Sequence, residues 1–363
     1  MKNQQFLYCL FFVILSGFFS ACNDDGPEPD QGIIAQDGYF IINEGGFGNA
    51  NTSVSYFERE SGSVSNSVFA DANSRPLGDQ TQSMTVFDGR GFIVVQNSSK
   101  VEVIDREDFT SIATIGSEEG IASPRYFLGI SEDKGYVTDW GADGLSGTVK
   151  VIDLNTYTVT KSIATGSGPN QLILHNGRVY VANGGGFGLD STVVVINPQS
   201  DEVEDEIVVG DNPTSLTVDA GGRIWVAGSG FAFYDPDNNF ALDESLSTPG
   251  FLARLENNAV SFKAEAEQIA AGPSGVVADN SGQQLYYRYT GGIFRISTDA
   301  TELAETPFIS GSFYGLAIDP LSGEILATDP LNFSDDGLFY RYSTDGDLIE
   351  SYTVGIAPNG FAF

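Results

Sequence analysis

Short apolar triplets recur along this chain at a nearly constant interval, each flanked by polar turn residues. They read Ser83-Met84-Thr85-Val86, Phe127-Leu128-Gly129-Ile130, Gln171-Leu172-Ile173-Leu174, Ser215-Leu216-Thr217-Val218, Gly275-Val276-Val277-Ala278, Gly315-Leu316-Ala317-Ile318 and Gly360-Phe361-Ala362-Phe363. Their ends fall at 86, 130, 174, 218, 278, 318 and 363, so the steps are 44, 44, 44, 60, 40 and 45. The long step predicts an insertion around 235–255. A tight turn and a second β-rich run follow each triplet but the last: GFIVVQ at 91, GYVTDW at 135, GRVYVAN at 177, GRIWVAG at 222, QLYYRY at 284 and GEILATD at 323. A third run comes next, namely KVEVID at 100, TVKVID at 148, TVVVIN at 192, FAFYD at 231, IFRIS at 293 and LFYRY at 338, and then a weaker fourth such as VEDEIVVG at 203. Four short strands per repeat, with turn residues between them and no helical periodicity, predict an all-β fold, a β-propeller.

The ends of the chain fix the number of blades. GYFIINEG at 38 and SVSYFERE at 53 read as a second and a third strand with no first strand before them. APNGFAF at 357–363 is a first strand with nothing after it. Pairing the two closes a ring of seven blades and leaves no open sheet edge between first and last.

The first residues stand apart from this pattern. Residues 1–21 carry one charge, Lys2, and an apolar run from Phe6 to Phe19, too short to span a bilayer and followed by Ser20-Ala21-Cys22, so they read as a signal peptide. The stretch 22–35, NDDGPEPDQG included, is acidic and rich in Pro and Gly, a composition that buries no apolar surface and reads as an extended tether. The propeller domain is expected over 36–363.

Phe19-Ser20-Ala21-Cys22 resembles a bacterial lipobox, with Phe19 where Leu is usual. The resemblance implies cleavage before Cys22 and lipidation of that residue; plain secretory cleavage after Ala21 is the alternative. The acidic cluster behind Cys22 resembles the signal that exports some Gram-negative lipoproteins to the outer face of the outer membrane, a solvated linker being the other reading. GYVTDW and VYVANGG resemble the YVTN-type propeller repeat of surface-layer and extracellular proteins, over roughly 38–363. A propeller on such an anchor is also similar to the surface cobalamin-binding lipoproteins that sit on TonB-dependent vitamin B12 transporters.

Composition narrows the chemistry. The formal net charge of −32 repels phosphate backbones, so no nucleic-acid partner is expected. Once Cys9 leaves with the signal peptide and Cys22 is acylated, the domain has no thiol, and its one histidine, His175, sits in a turn with Asn176-Gly177. Neither a metal site of the zinc, copper or haem kind nor a nucleophilic triad is suggested, and no cofactor and no enzymatic activity are expected. DPDNNFALDE at 235 begins like a calcium loop, but Phe240 stands where Gly is needed and Leu246 where Glu is. GGGFGL at 184 leads into a strand, not a helix, and reads as a turn.

Strand direction does say where a ligand would bind. The entry to each innermost strand and the turn between second and third strands lie on one face. Those positions hold Phe47, Gln82, Arg125, Tyr126, Trp140, Asn170, Gln171, Phe187, Arg288, Tyr289, Phe313, Tyr314, Asn332, Phe333 and Asn359. The other face reads DGRG, SEDKG, HNG, DAGG, DNSG and DPLSG, small and acidic. Any one of these aromatics could instead pack between blades, but together they suit a large neutral ligand, flat rings for its faces and amides for its polar rim. A corrinoid fits, and so does a glycan. The function expected is a lipid-anchored, cell-surface binding protein of the outer membrane that captures such a ligand for a TonB-dependent transporter. A structural or adhesive module binding a protein or polysaccharide is the runner-up, and a lactonase-like or lyase-like enzyme working through carboxylates is a third reading.

Overall fold

A computed structural model describes residues 37–269 and 271–363. The signal peptide, the tether and Cys22 lie outside them. The described chain forms seven four-stranded antiparallel sheets. The innermost strands are Thr81–Phe87, Pro124–Ser131, Pro169–His175, Pro213–Val218, Ser274–Ala278, Gly315–Ile318 and Pro358–Ala362, and the apolar triplets of the sequence fall in them, with only Phe363 beyond the last. Each packs on the next around the ring until Pro358–Ala362 returns to Thr81–Phe87. Blades 2 to 7 follow the chain in that order. Blade 1 takes its inner strand from the C-terminal end, in the order Pro358–Ala362, Gly38–Asn43, Ser53–Glu58, Ser63–Ser65.

The predicted closure is therefore present, with Phe40 opposite Ala362, Ile41 opposite Phe361 and Ile42 opposite Gly360. A bulge between Ile42 and Asn43 then places Asn43 opposite Pro358. The second strands are buried along nearly their whole length, as Phe92, Ile93, Val94 and Val95 in blade 2 illustrate. A strand covered on both faces reads as a continuous apolar run and not as an alternation. The buried side chains gather into seven apolar clusters, one at each junction between neighbouring blades.

Two expectations need correction. FAFYD is not the third strand of blade 5; that strand is Pro249–Glu256, paired along Ile224–Gly228 from Ile224↔Leu255 to Gly228↔Phe251. Phe251, Leu252, Ala253 and Leu255 fill both of its faces, which FAFYD, ending at a Pro-containing turn, does not match. FAFYD instead opens the insertion, which spans 229–248 and not 235–255. There Phe231 bridges to Thr248, and Tyr234–Asp235 pairs with Ala241–Leu242 as a small surface hairpin. The second correction is a short helix, Val68–Asn73, between blades 1 and 2. Its single buried side chain, Phe69, caps the cluster of Phe40 and Phe109.

Candidate functional site

The axial mouth is built from positions near the start of the innermost strands and the end of the second strands, and its centre is polar. Arg125, second residue of blade 3's inner strand, donates from Nη1 to Gln96 Oε1 at 2.5 Å and from Nε to Asn170 Oδ1 at 3.3 Å. Its guanidinium lies 4.2 Å from the Trp140 ring centroid, a cation–π contact that fixes both groups. Trp140 in turn donates Nε1–H to the Pro169 carbonyl at 3.2 Å and meets Phe187 edge-on at 5.9 Å.

Arg288, on blade 6's second strand, enters from the far side of the ring. It donates to the carbonyls of Phe313 and Tyr314, and its Nε is enclosed with no hydrogen-bond partner. Gly275, in the left-handed region at φ 60°, gives it room: a Cβ there would stand 3.0 Å from that Nε. Burial lowers both guanidinium pKa values, and Tyr126 and Tyr314 are within electrostatic reach of both.

One carboxylate joins them. Glu44, 8 % exposed, directly follows blade 1's second strand, accepts from Gln82 Nε2 at 2.6 Å and from the Tyr314 hydroxyl at 2.8 Å, and is an electrostatic neighbour of Arg125. Burial, then Glu44, raises the Tyr314 hydroxyl well above the usual phenol range. Sequence reasoning missed Glu44 and Gln96 although both occupy the position that singled out Trp140, the first residue after a second strand.

The other expected residues divide in three. Phe47, Phe187 and Phe333 stand on the rim, 75 %, 78 % and 50 % exposed, with Phe333 edge-on to Tyr314 at 5.2 Å. Gln82, Tyr126 and Asn170 belong to the centre with Arg125, Arg288 and Tyr314. The remainder hold the scaffold. Gln171 Oε1 accepts from the Leu216 amide and ties blade 4 to blade 5, and Asn359 Nδ2 donates to the Thr81 carbonyl across the closure. Asn332 shapes its own loop through Ser334 and Asp335, Tyr289 packs on Phe294, and Phe313 packs on Tyr340 and Tyr342.

Away from the axis, a depression of about 460 Å³ opens between blades 3 and 4, lined by Leu145, Thr148, Thr165, Ser167 and Asp190 among others. His175 is on the opposite face, its Nε2 3.0 Å from the Gly222 carbonyl. Among the described residues no three His, Cys, Asp or Glu side chains are grouped as metal ligands.

Many solved structures share the fold, two of them as follows. One is titled a quinonprotein alcohol dehydrogenase-like protein from Bacteroides thetaiotaomicron, at TM-score 0.61 and 17 % identity, covering 90 % of this chain and 78 % of that one. The other is Kuenenia stuttgartiensis hydrazine synthase, at TM-score 0.58 and 13 % identity, covering 78 % of this chain and 89 % of that one. At such identities the likeness is one of architecture. No curated protein sequence matches the chain. The family described as Domain of unknown function (DUF5074) matches residues 37–354, the whole ring but its closing strand, and the chain belongs to that family.

Proposed function

We propose that this protein is a non-enzymatic binding protein, anchored through lipid on Cys22 at the surface of the outer membrane, that captures a ligand at the axial mouth for a TonB-dependent transporter. A corrinoid is the ligand we put first. The observation that carries the reading is the convergence on one mouth of stacking surface and directed donors. Trp140, Phe187 and Phe333 offer flat apolar faces, while Arg125, Arg288 and Tyr126 cluster beneath them. A broad macrocycle edged with carboxamides uses both. His175 is on the opposite face, so a bound corrinoid keeps its own axial ligands and its visible spectrum changes little.

Calorimetric titration of the full chain with cobalamin and with a panel of glycans tests this reading. Trp140→Ala should weaken the bound ligand by roughly 2 kcal/mol, as loss of an interfacial aromatic anchor does, while Glu132→Gln in the opposite-face turn of blade 3 should leave affinity unchanged. No heat with cobalamin alongside binding of a glycan would remove the corrinoid and keep the capture face.

The anchor is tested separately. Mass spectrometry of the mature N-terminus should find acylated Cys22, and Cys22→Ala should release the protein from the membrane fraction; protease treatment of intact cells reports the leaflet. The rim favours one second reading, a structural or adhesive module. Phe47, Leu145, Phe187, Leu331 and Phe333 are all exposed on this one face, as a protein or polysaccharide partner would require.

A further inference from the structure

We infer that the axial mouth binds an oxyanion, a carboxylate or phosphate ester carried by the ligand, through Arg125 and Arg288. This deepens the capture reading above and rests on it. Elsewhere in the ring several half-buried arginines are matched with carboxylates: Arg59 with Asp319, Arg223 with Asp219 and Arg341 with Glu324. Arg125 and Arg288 form no ion pair among the described residues. Their hydrogen bonds go to neutral acceptors, the Gln96 and Asn170 side chains for one and two main-chain carbonyls for the other.

Arg125 and Arg288 are half-buried, within reach of a ligand in the mouth, and a cation partly withdrawn from water without a paired carboxylate costs the fold stability. Such groups persist where an occupant supplies the missing charge. The geometry agrees with that use. The two side chains come from blades 3 and 6, on opposite sides of the axis, and Tyr126 and Tyr314 lie within electrostatic reach of both. The enclosed Nε of Arg288 is a donor with no acceptor. Glu44 offsets one of the two charges but not the other, and its carboxylate oxygens are already bound to Gln82 and to the Tyr314 hydroxyl. Arg125 and Arg288 thus share a single charged neighbour, Glu44, and one of the two positive charges is left for a ligand to match.

The test pairs each acidic probe with a neutral counterpart on the full chain: cobalamin, which carries a phosphodiester, against cobinamide, which lacks it; trigalacturonate against its methyl ester; and inorganic phosphate as a competitor of whichever acidic probe binds. The acidic member of at least one pair should bind more tightly, and phosphate should weaken it. Arg125→Gln and Arg288→Gln should each lower that affinity about 30-fold or more, the loss typical of a binding hot spot, while changing the neutral member by less than about threefold. Arg288→Gln, which removes the cation that no carboxylate faces, should leave the melting temperature at or above that of the parent.

Equal affinities within every pair, or Gln variants that bind like the parent, would overturn the proposal, as would failure of the parent to bind any probe. Should the variants not fold, the paired affinities and phosphate competition on the parent decide it alone. Binding of trigalacturonate or phosphate that needs both arginines, with no corrinoid bound, would uphold the oxyanion site and discard the corrinoid. Cobalamin and cobinamide bound equally by parent and variants alike would do the reverse.

Discussion

Deleting Pro358–Phe363 should abolish cooperative unfolding or leave the protein insoluble. The segment ends the chain, yet it is the inner strand of blade 1. Its pairing with Phe40–Asn43 and the bond from Thr328 Oγ1 to the Pro358 carbonyl go with it, as does the bond from Asn359 to Thr81. Phe361 also leaves the cluster of Tyr39 and Phe339, where its ring centroid lies 6.3 and 5.6 Å from theirs. Several ladder bonds at about 1 kcal/mol each and a mostly buried aromatic at about 2 kcal/mol sum to the order of 5–10 kcal/mol. That is comparable with the whole stability of a domain. Calorimetry or denaturant unfolding reads the result, and a truncated chain melting within a few degrees of the parent would contradict this role for the strand.

Asp319→Asn should cost about 3 kcal/mol at neutral pH, the loss expected when one partner of a buried ion pair is removed. Asp319 is fully buried at the turn after blade 7's inner strand. It accepts from both terminal nitrogens of Arg59, which follows blade 1's third strand, and from the Leu321 amide at 2.8 Å. Arg59 also lies over the Tyr39 ring at 4.8 Å, so the pair clamps last blade to first on the face away from the mouth. Burial alone would raise the carboxyl pKa; the Arg59 hydrogen bonds, with those from Leu321 and Ser322, outweigh it and hold the value below the usual range. A carboxyl lowered on folding contributes stability above its unfolded pKa, near 3.9, and loses it as pH falls through the folded value. The gap between parent and variant should therefore be full at pH 7 and shrink below about pH 4. A gap independent of pH would mean that the side chain's shape matters and its charge does not.

The repeat was legible because each inner strand and each second strand must be apolar wherever it lies in the ring. That requirement prints the same pattern seven times and also exposes the unmatched ends. Blade 5 was misread where the pattern is least informative. FAFYD has the spacing of a strand, whereas PGFLARLE begins with Pro and Gly and shows no alternation because both of its faces are covered. Which residues lie on the mouth's face was legible from strand direction alone. What each side chain does there was not, because it is settled by contacts between residues far apart in sequence. Gln171 is spent on the Leu216 amide, 45 residues away, and Arg125 needs Gln96 and Asn170 from the neighbouring blades. That Arg125 and Arg288 form no ion pair and share only Glu44 as a charged neighbour is a property of the assembled ring, invisible in a chain so rich in Asp and Glu.

Seven similar wedges around an axis would make a socket that looks the same after each step of rotation, and a ligand seated in it would have no reason to prefer one azimuth. The segment 229–248 breaks that degeneracy. It rises from blade 5 next to the turn 290–291 of blade 6, so the longest and the shortest of the turns between second and third strands are neighbours. The socket is thereby keyed: an elongated ligand or a flat partner can seat in one rotational setting, and moving the insertion to the corresponding turn of another blade would turn the bound pose by a whole number of blade steps while leaving the ring intact.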